Sequence, residues 1–302
     1  GDSVYDPTCG SGGMLLSAAE ELRRQGKEHR TLRLYGQERN LTTSAIARMN
    51  LFLHGIEDFD VVRGDTLAAP AFTESDRLRR FDVVLANPPY SISAWDRAAW
   101  SADPWGRNRY GTPPQGRADY AFWQHILASL DPDTGRCAIL FPHGVLFRQE
   151  ERDMRTKMTE ADVIDAVIGL GPNLFYGTGL AACVLVARRR KTPERKGKVL
   201  LIDGSDLFRK GRNQNTLEPD HVETLLATFE AFEDEEGRSR VVGLEEVTEQ
   251  GGNLNLAGYV TKPDDTEILT VAGATAALKE SLEAAWAAEA CLNQLLSERG
   301  IA

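Results

Sequence analysis

The sequence predicts an α/β fold with a mostly parallel sheet, and two patterns predict it. Short apolar runs bounded by turn residues recur at 3–5, 32–36, 81–86, 136–141, 163–170 and 180–187, the lengths of buried strands. Between them lie longer segments whose apolar residues return at helical spacing, at 13–24, 42–54, 120–130 and 149–160. Strands alternating with helices read as crossover units, because parallel strands cannot be joined by a tight turn. Residues 60–63 add a short strand, and 199–202 give another after a basic connector. We expect a seven-stranded sheet with helices on both faces and a helical extension at the C-terminal end.

Composition bounds the organisation. The 302 residues are 42% hydrophobic and 26% charged, an ordinary globular balance. No run approaches the roughly 20 apolar residues of a membrane span. Cys9, Cys137, Cys183 and Cys291 are scattered without a CxxC pair, and the five histidines have no ligand spacing. This pattern predicts reduced thiols, a cytoplasmic location and no metal. The net charge of −10 divides unevenly: residues 1–212 hold 30 Lys and Arg against 27 Asp and Glu, whereas 213–302 hold 5 against 18. A phosphate backbone could approach the first part and would be repelled by the second.

We therefore expect a catalytic domain over 1–212 and an acidic, mainly helical extension over 213–302. Within the extension, 269–299 carries Leu278, Leu282, Ala285, Leu292 and Leu296 on a 4-3 spacing interrupted by Glu289. Such a helix packs on its own domain or seeks a partner. A core-strand pattern begins at Ser3, two residues into the chain, so we expect further sequence ahead of it.

The first strand runs into Asp6-Pro7-Thr8-Cys9-Gly10-Ser11-Gly12-Gly13. Glycines at a strand–helix turn let a ligand approach the backbone at the carboxyl edge of a sheet. No GK[ST] follows, which excludes a Walker loop, although a dinucleotide site remains an alternative for the glycines alone. Asp6 would suit a cationic methionine moiety. Glu38, after the next strand, is placed for ribose hydroxyls, and Asp65 for an adenine amino group. An acid at a strand end is more often a structural turn, but three at successive strand ends favour a nucleotide-type cofactor.

The strand at 81–86 leads directly into Asn87-Pro88-Pro89-Tyr90. Two prolines stiffen the chain and remove two N–H donors. The Asn87 side-chain oxygen and the Pro88 carbonyl can then both accept from one exocyclic NH2, turning its lone pair toward an incoming methyl group. Tyr90 offers a flat face for an extruded base. The plain alternative is a proline-stiffened strand end with a packed tyrosine.

The order DPTCGSGG, Glu38, Asp65 and NPPY resembles the gamma-type arrangement of DNA N6-adenine methyltransferases. It is most similar to the modification (M) subunit of type I restriction-modification systems. Stretches 109–111, 116–125, 135–144, 173–179 and 253–256 resemble that family as well, and the likeness runs from about Ser3 to Val260. It implies an S-adenosylmethionine-dependent methyltransferase fold with S-adenosyl-L-methionine as cofactor. Asp6, Thr8, Gly10, Gly12, Glu38, Asp65 and Asn87 would contact that cofactor. Asn87, Pro88, Pro89 and Tyr90 would hold the target adenine, with Phe175 as a second aromatic wall; a buried core phenylalanine is the plain alternative there. It further implies DNA, a specificity (S) subunit, a second M subunit and a restriction (R) subunit as partners. Related subunits carry an N-terminal helical region and a cofactor-contacting motif ahead of the first strand, and we expect both to belong to the sequence preceding Ser3.

Two segments could touch nucleic acid. Trp95, Trp100, Trp105 and Tyr110 interleave with Arg97, Arg107, Arg109 and Arg117, a pattern that suits DNA entry or a lid packing its own aromatics. Residues 188–212 hold 10 basic against 3 acidic side chains on a connector, the pattern of a phosphate contact or a solvated face. Two further readings stay open: an NPPY-type methyltransferase acting on RNA or a protein amide, and a non-catalytic subunit that binds DNA or a partner.

Overall fold

Strand β1 (Ser3–Asp6) pairs in parallel with β2 (Arg33–Glu38), which pairs in parallel with β3 (Phe59–Arg63). On its other side β1 pairs in parallel with β4 (Val83–Ala86). Strands β5 (Arg136–Pro142), β6 (Ile164–Leu170), β7 (Ala182–Arg188), β8 (Lys198–Gly204) and β9 (Ser239–Gly243) complete one sheet. The computed structural model describes residues 2–28, 31–175, 179–261 and 271–299. The spatial order is β9-β8-β6-β7-β5-β4-β1-β2-β3, nine strands where seven were expected. The run read at 199–202 is β8, and β9 is the strand that the sequence pattern did not anticipate.

The sheet is less uniformly parallel than the crossover pattern predicts. Strand β7 runs antiparallel to both β5 and β6, and β9 runs antiparallel to β8. No helix lies among the described residues between β6 and β7, and without a crossover the chain returns antiparallel.

Helices cover both faces. Helix α1 (Gly13–Arg24) and helix α2 (Leu41–Leu53) bury Leu15, Ala19, Ala47 and Leu51 against Val4, Leu34 and Val61. The opposite face presents Tyr5, Tyr35, Val84 and Ile139 to a larger cluster. Alternation along β1 and β2 sends neighbouring residues to opposite layers. A short helix, α3 (Arg97–Ser101), precedes α4 (Asp119–Ala128). Every residue of α4 from Tyr120 to Leu127 is buried, and its two polar members find internal partners, Gln124 at Tyr110 N and Gly111 O and His125 at the Tyr5 hydroxyl. Helix α5 (Arg152–Glu160) follows, and α6 (Pro219–Ala231) packs on β8.

The expected boundary at 212 falls inside a folded unit that runs to Thr261. Strand β9 extends the sheet, and α7 (Leu244–Glu249) follows it. Val242, Val247, Leu254, Leu256, Tyr259 and Val260 join the same core as α4. Residues 213–261 are therefore neither a separate extension nor mainly helical. Their acidic run from Glu233 to Glu236 is exposed while the apolar residues turn inward, so net charge reported the surface and not domain membership.

The second unit, 262–302, contains α8 (Val271–Glu298), a 28-residue helix with Leu278, Leu282, Trp286, Leu292 and Leu295 exposed. Residues 269 and 270 of the expected helix lie outside the described residues. No helix among the described residues is long and apolar enough to cross a membrane.

A chain ending at Thr261 should keep one cooperative thermal transition by circular dichroism. A chain ending at Arg212 loses the strand that pairs with β8 and much of the covering of its buried residues, and should unfold without cooperativity or aggregate. A cooperative melt of the shorter chain would show 213–261 to be an appendage.

Candidate active site at the carboxyl edge

Parallel pairing delivers the ends of β1 to β4 to one edge of the sheet, with Asp6 opposite Gly36 and Glu38 opposite Arg63. A cleft of about 410 Å³ opens there, lined by Pro7, Thr8, Glu38, Arg39, Gly64, Asp65, Thr66, Asn87, Pro89, Ile92 and Phe122. Thr8, Glu38, Asp65, Asn87 and Pro89, anticipated from four separate stretches, thus share one space.

The glycine loop is locally determined. Gly12 caps α1 in the left-handed region at φ 82°, and Gly10 lies there at 53°. A side chain at either position is strained. Asp6 is 2% exposed and lies beneath the cleft, where its carboxylate accepts the Thr8 N–H at 2.9 Å. Burial pushes its pKa up to about 7, helped by the nearby Glu38 charge and opposed by the Thr8 hydrogen bond. Glu38 ties two elements together, accepting from Gly10 N at 3.1 Å and from Asn40 N at 2.7 Å. Asp65 accepts from Leu67 N and Ala68 N through one oxygen, and its other oxygen lies 3.6 Å from Arg39. The buried Thr8 hydroxyl has no hydrogen-bond partner among the described residues.

Beyond β4, Asn87 and Pro89 are exposed, Pro88 is buried and Tyr90 is half-buried. The Tyr90 hydroxyl is buried without a partner among the described residues, and burial raises its pKa to about 12. Ser91 follows in the left-handed region at φ 50°. Phe175 lies outside the cleft lining, half-buried against the apolar cluster around Leu170, Leu200 and Leu225. Tyr176, Gly177 and Thr178 of the 173–179 stretch lie outside the described residues.

The aromatic and basic loop divides between lid and surface. Trp100, Arg107 and Tyr110 are buried. The Arg107 guanidinium pairs with Asp103 at 2.6 Å and donates to the carbonyls of Thr66 and Leu67, both at 2.8 Å. It also lies over the rings of Trp100 and Trp105. Arg107 therefore anchors the loop to the segment after β3 and is not available to DNA, whereas Arg97 and Arg109 are exposed. Below it, His125 meets the Tyr5 hydroxyl at 3.1 Å. Burial, and then Arg107, hold the His125 pKa well below its usual range, so the ring is neutral. Much of the basic run at 188–212 is internally paired: Arg188 and Arg195 with Asp165, Lys191 with Asp162, and Arg209 with Glu218.

The sequence reading missed Asp119, Arg148 and Glu151, which stand behind Tyr90. An acid opening a predominantly apolar helix was the available signal, but it reads equally as an ordinary helix start.

The sequence profile of N-6 DNA Methylase matches residues 1–267. The chain belongs to the N-6 DNA methylase family. Its fold is the Rossmann-like one of S-adenosylmethionine-dependent methyltransferases. The MjaVII methylase subunit of a type I restriction enzyme from Methanocaldococcus jannaschii is 34% identical over 87% of this chain and 46% of its own length. The MpnII methylase subunit from Mycoplasma pneumoniae is 33% identical over 89% of this chain and 50% of its own length. This N-6 DNA methylase chain thus spans about half the length of those relatives. The crystal structure of a type I restriction-modification methyltransferase subunit from Streptococcus thermophilus superposes with a TM-score of 0.79 at 36% identity, covering 86% of this chain and 55% of that one.

Because the folded Asp6 pKa of about 7 exceeds the ordinary value near 4, the folded state holds that proton more tightly. The associated stability is complete below about pH 4 and is lost as pH rises to about 7. Glu151, raised to about 7 chiefly by burial, titrates in the same window. Comparison of the unliganded protein with Asp6→Asn isolates the Asp6 share. From pH 5 to pH 8 the wild-type Tm should fall further than that of the variant; parallel profiles would refute the assignment.

Proposed function

We propose that this chain is the catalytic part of the modification subunit of a type I restriction-modification system. It transfers a methyl group from S-adenosylmethionine to the N6 amine of an adenine extruded from DNA. The observation that carries this reading is the single cleft in which Thr8, Glu38 and Asp65 meet Asn87 and Pro89. The likeness to type I methylase subunits supports it.

The residues present fit the cofactor. The partnerless Thr8 hydroxyl has hydrogen-bonding capacity for a polar ligand. Asp6 and Glu38 supply negative charge for a cationic methionine moiety and acceptors for hydroxyls, while Gly10 and Gly12 keep the loop low. Asp65 closes the other end of the cleft with an acceptor for an amino group. Bound S-adenosylmethionine supplies an electrophilic methyl group on its sulfonium sulfur.

The chain's own residues then handle the acceptor. Asn87 Oδ1 and the Pro88 carbonyl accept the two amine protons, which aims the nitrogen lone pair. Pro88 and Pro89 stiffen that backbone, and Tyr90 stacks the extruded base. Phe175 is the second wall: it follows β6, whose carboxyl end lies on the same edge as that of β4. The proton leaves to solvent after transfer. DNA, a specificity subunit and a second modification subunit are the partners, with a restriction subunit where the system cleaves; the work is done in the cytoplasm, on DNA.

The test is tritium transfer from labelled S-adenosylmethionine by the intact protein with its specificity subunit, to duplex DNA, RNA and protein side by side. Labelled N6-methyladenine in DNA is expected, and Asn87→Ala should lower kcat by on the order of 10²–10³ while cofactor affinity changes only a few-fold. Label confined to RNA or protein, or no transfer, would overturn the assignment.

We assign α8, with its exposed leucines, to partner binding. Deleting 269–302 should weaken co-purification with the specificity subunit, and unchanged co-purification would refute that role.

A further inference from the structure

Directly behind the Asn87–Tyr90 element lies a buried network of charges. Ser91 donates its backbone N–H to Asp119 Oδ1 at 2.7 Å and its hydroxyl to Asp119 Oδ2 at 3.2 Å. Asp119 opens α4 and has a side chain that is 1% exposed. Arg148 binds the same Asp119 Oδ2 at 2.7 Å and Glu151 at 3.2 Å, and reaches the Ser91 hydroxyl at 3.5 Å. The Arg148 carbonyl accepts in turn from the buried Arg155.

Two features show that the network restrains the backbone. Ser91 is held at φ 50°, a left-handed conformation that a non-glycine residue keeps only when its surroundings enforce it. The second feature is Gly144: a Cβ there would stand 2.5 Å from Arg148 Nε, so the guanidinium occupies space that only glycine leaves open. Tyr90 immediately precedes Ser91, and its hydroxyl is buried without a partner among the described residues. No hydrogen bond from that hydroxyl fixes the ring, so its direction follows from the backbone at 90 and 91.

We propose that Asp119, backed by Arg148 over Gly144, is a positioning residue that locks Ser91 and so presents Tyr90 and the Asn87–Pro88 acceptors to the target base. This rests on the methyltransferase reading of the cleft. Asp119 touches neither reactant. It acts by keeping the loop in the one geometry that aims the acceptors, and a displacement near 1 Å at such a site can cost about 10²-fold in rate.

The experiment uses the intact protein with its specificity subunit, unmethylated bacterial genomic DNA as acceptor, and the variants Asp119→Asn and Gly144→Ala. The Asn variant keeps one acceptor for Ser91 but turns a donor or a neutral oxygen toward Arg148. The alanine methyl displaces the guanidinium and leaves Asp119 intact. Both should lower kcat by about 10–100-fold with KM for S-adenosylmethionine within about twofold of wild type. Amide hydrogen exchange should rise across 87–92 in both, while peptides from the glycine loop at 6–13 stay protected. Wild-type transfer to adenine tests the reading of the cleft, and the variant-to-wild-type comparison tests the clamp. A kcat within about twofold of wild type, or unchanged exchange at 87–92, in a folded variant would overturn the clamp. If Asp119→Asn fails to fold, Gly144→Ala decides. If wild type transfers nothing, the methyltransferase reading falls and exchange at 87–92 alone judges the clamp.

Discussion

Backbone hydrogen bonds between β1 and its two parallel neighbours decide where Asp6, Glu38 and Asn87 end up. Parallel strands all finish at the same edge, so an acid or amide written after any of them is carried to a common rim. An antiparallel neighbour would have sent one of these groups to the far side of the sheet. The one internal strand that does run the other way, β7, lies beyond β5 and leaves the rim from β1 to β4 undisturbed. Covering both faces with α1 and α2 on one side and α4 on the other makes that arrangement rigid, because Val4 and Tyr5 are each buried in a different layer.

Ionised side chains at depth give the rim its firmness. Arg107 satisfies its guanidinium with Asp103 and two carbonyls of the segment after β3, so the aromatic loop and the Asp65 end of the cleft are joined. Asp119 and Arg148 join α4 to the turn after Tyr90. Replacing such pairs with apolar residues can be neutral for stability, whereas removing one partner leaves a buried charge uncompensated. Their value here is geometric: they hold loops in place where helices and strands do not reach. Asp6 is the contrasting case, a buried acid that accepts the Thr8 N–H and whose pKa burial raises.

Much of the site was legible because its chemistry is local. Glycine at positive φ and proline without an N–H are properties of single residues, so the loop at 6–13 and the turn at 87–90 could be read from spacing alone. The acids Glu38 and Asp65 were legible because each follows a recognisable strand. Other features depended on neighbours far along the chain. Interleaved tryptophans and arginines describe a DNA channel and a self-packed lid equally well, and only burial assigns Arg107 to the lid while leaving Arg97 and Arg109 outside. The basic run at 188–212 reads as a phosphate contact or as a solvated face, and only the tertiary structure shows that Arg188, Lys191 and Arg195 of that run pair with Asp162 and Asp165.

The sequence by itself therefore determined the α/β class, the glycine loop, the acids at the strand ends and the Asn-Pro-Pro-Tyr element. Tertiary structure alone decided that Thr8, Glu38, Asp65, Asn87 and Pro89 share a cleft, that 213–261 completes the sheet, and that Asp119 stands behind Tyr90. The physical reason is range. Backbone preference and hydrophobic period act within a few residues and are written locally. The partner of a charge, the far side of a strand pair and the occupant of the space over a glycine are set by segments separated by tens of residues, which meet only when the sheet closes.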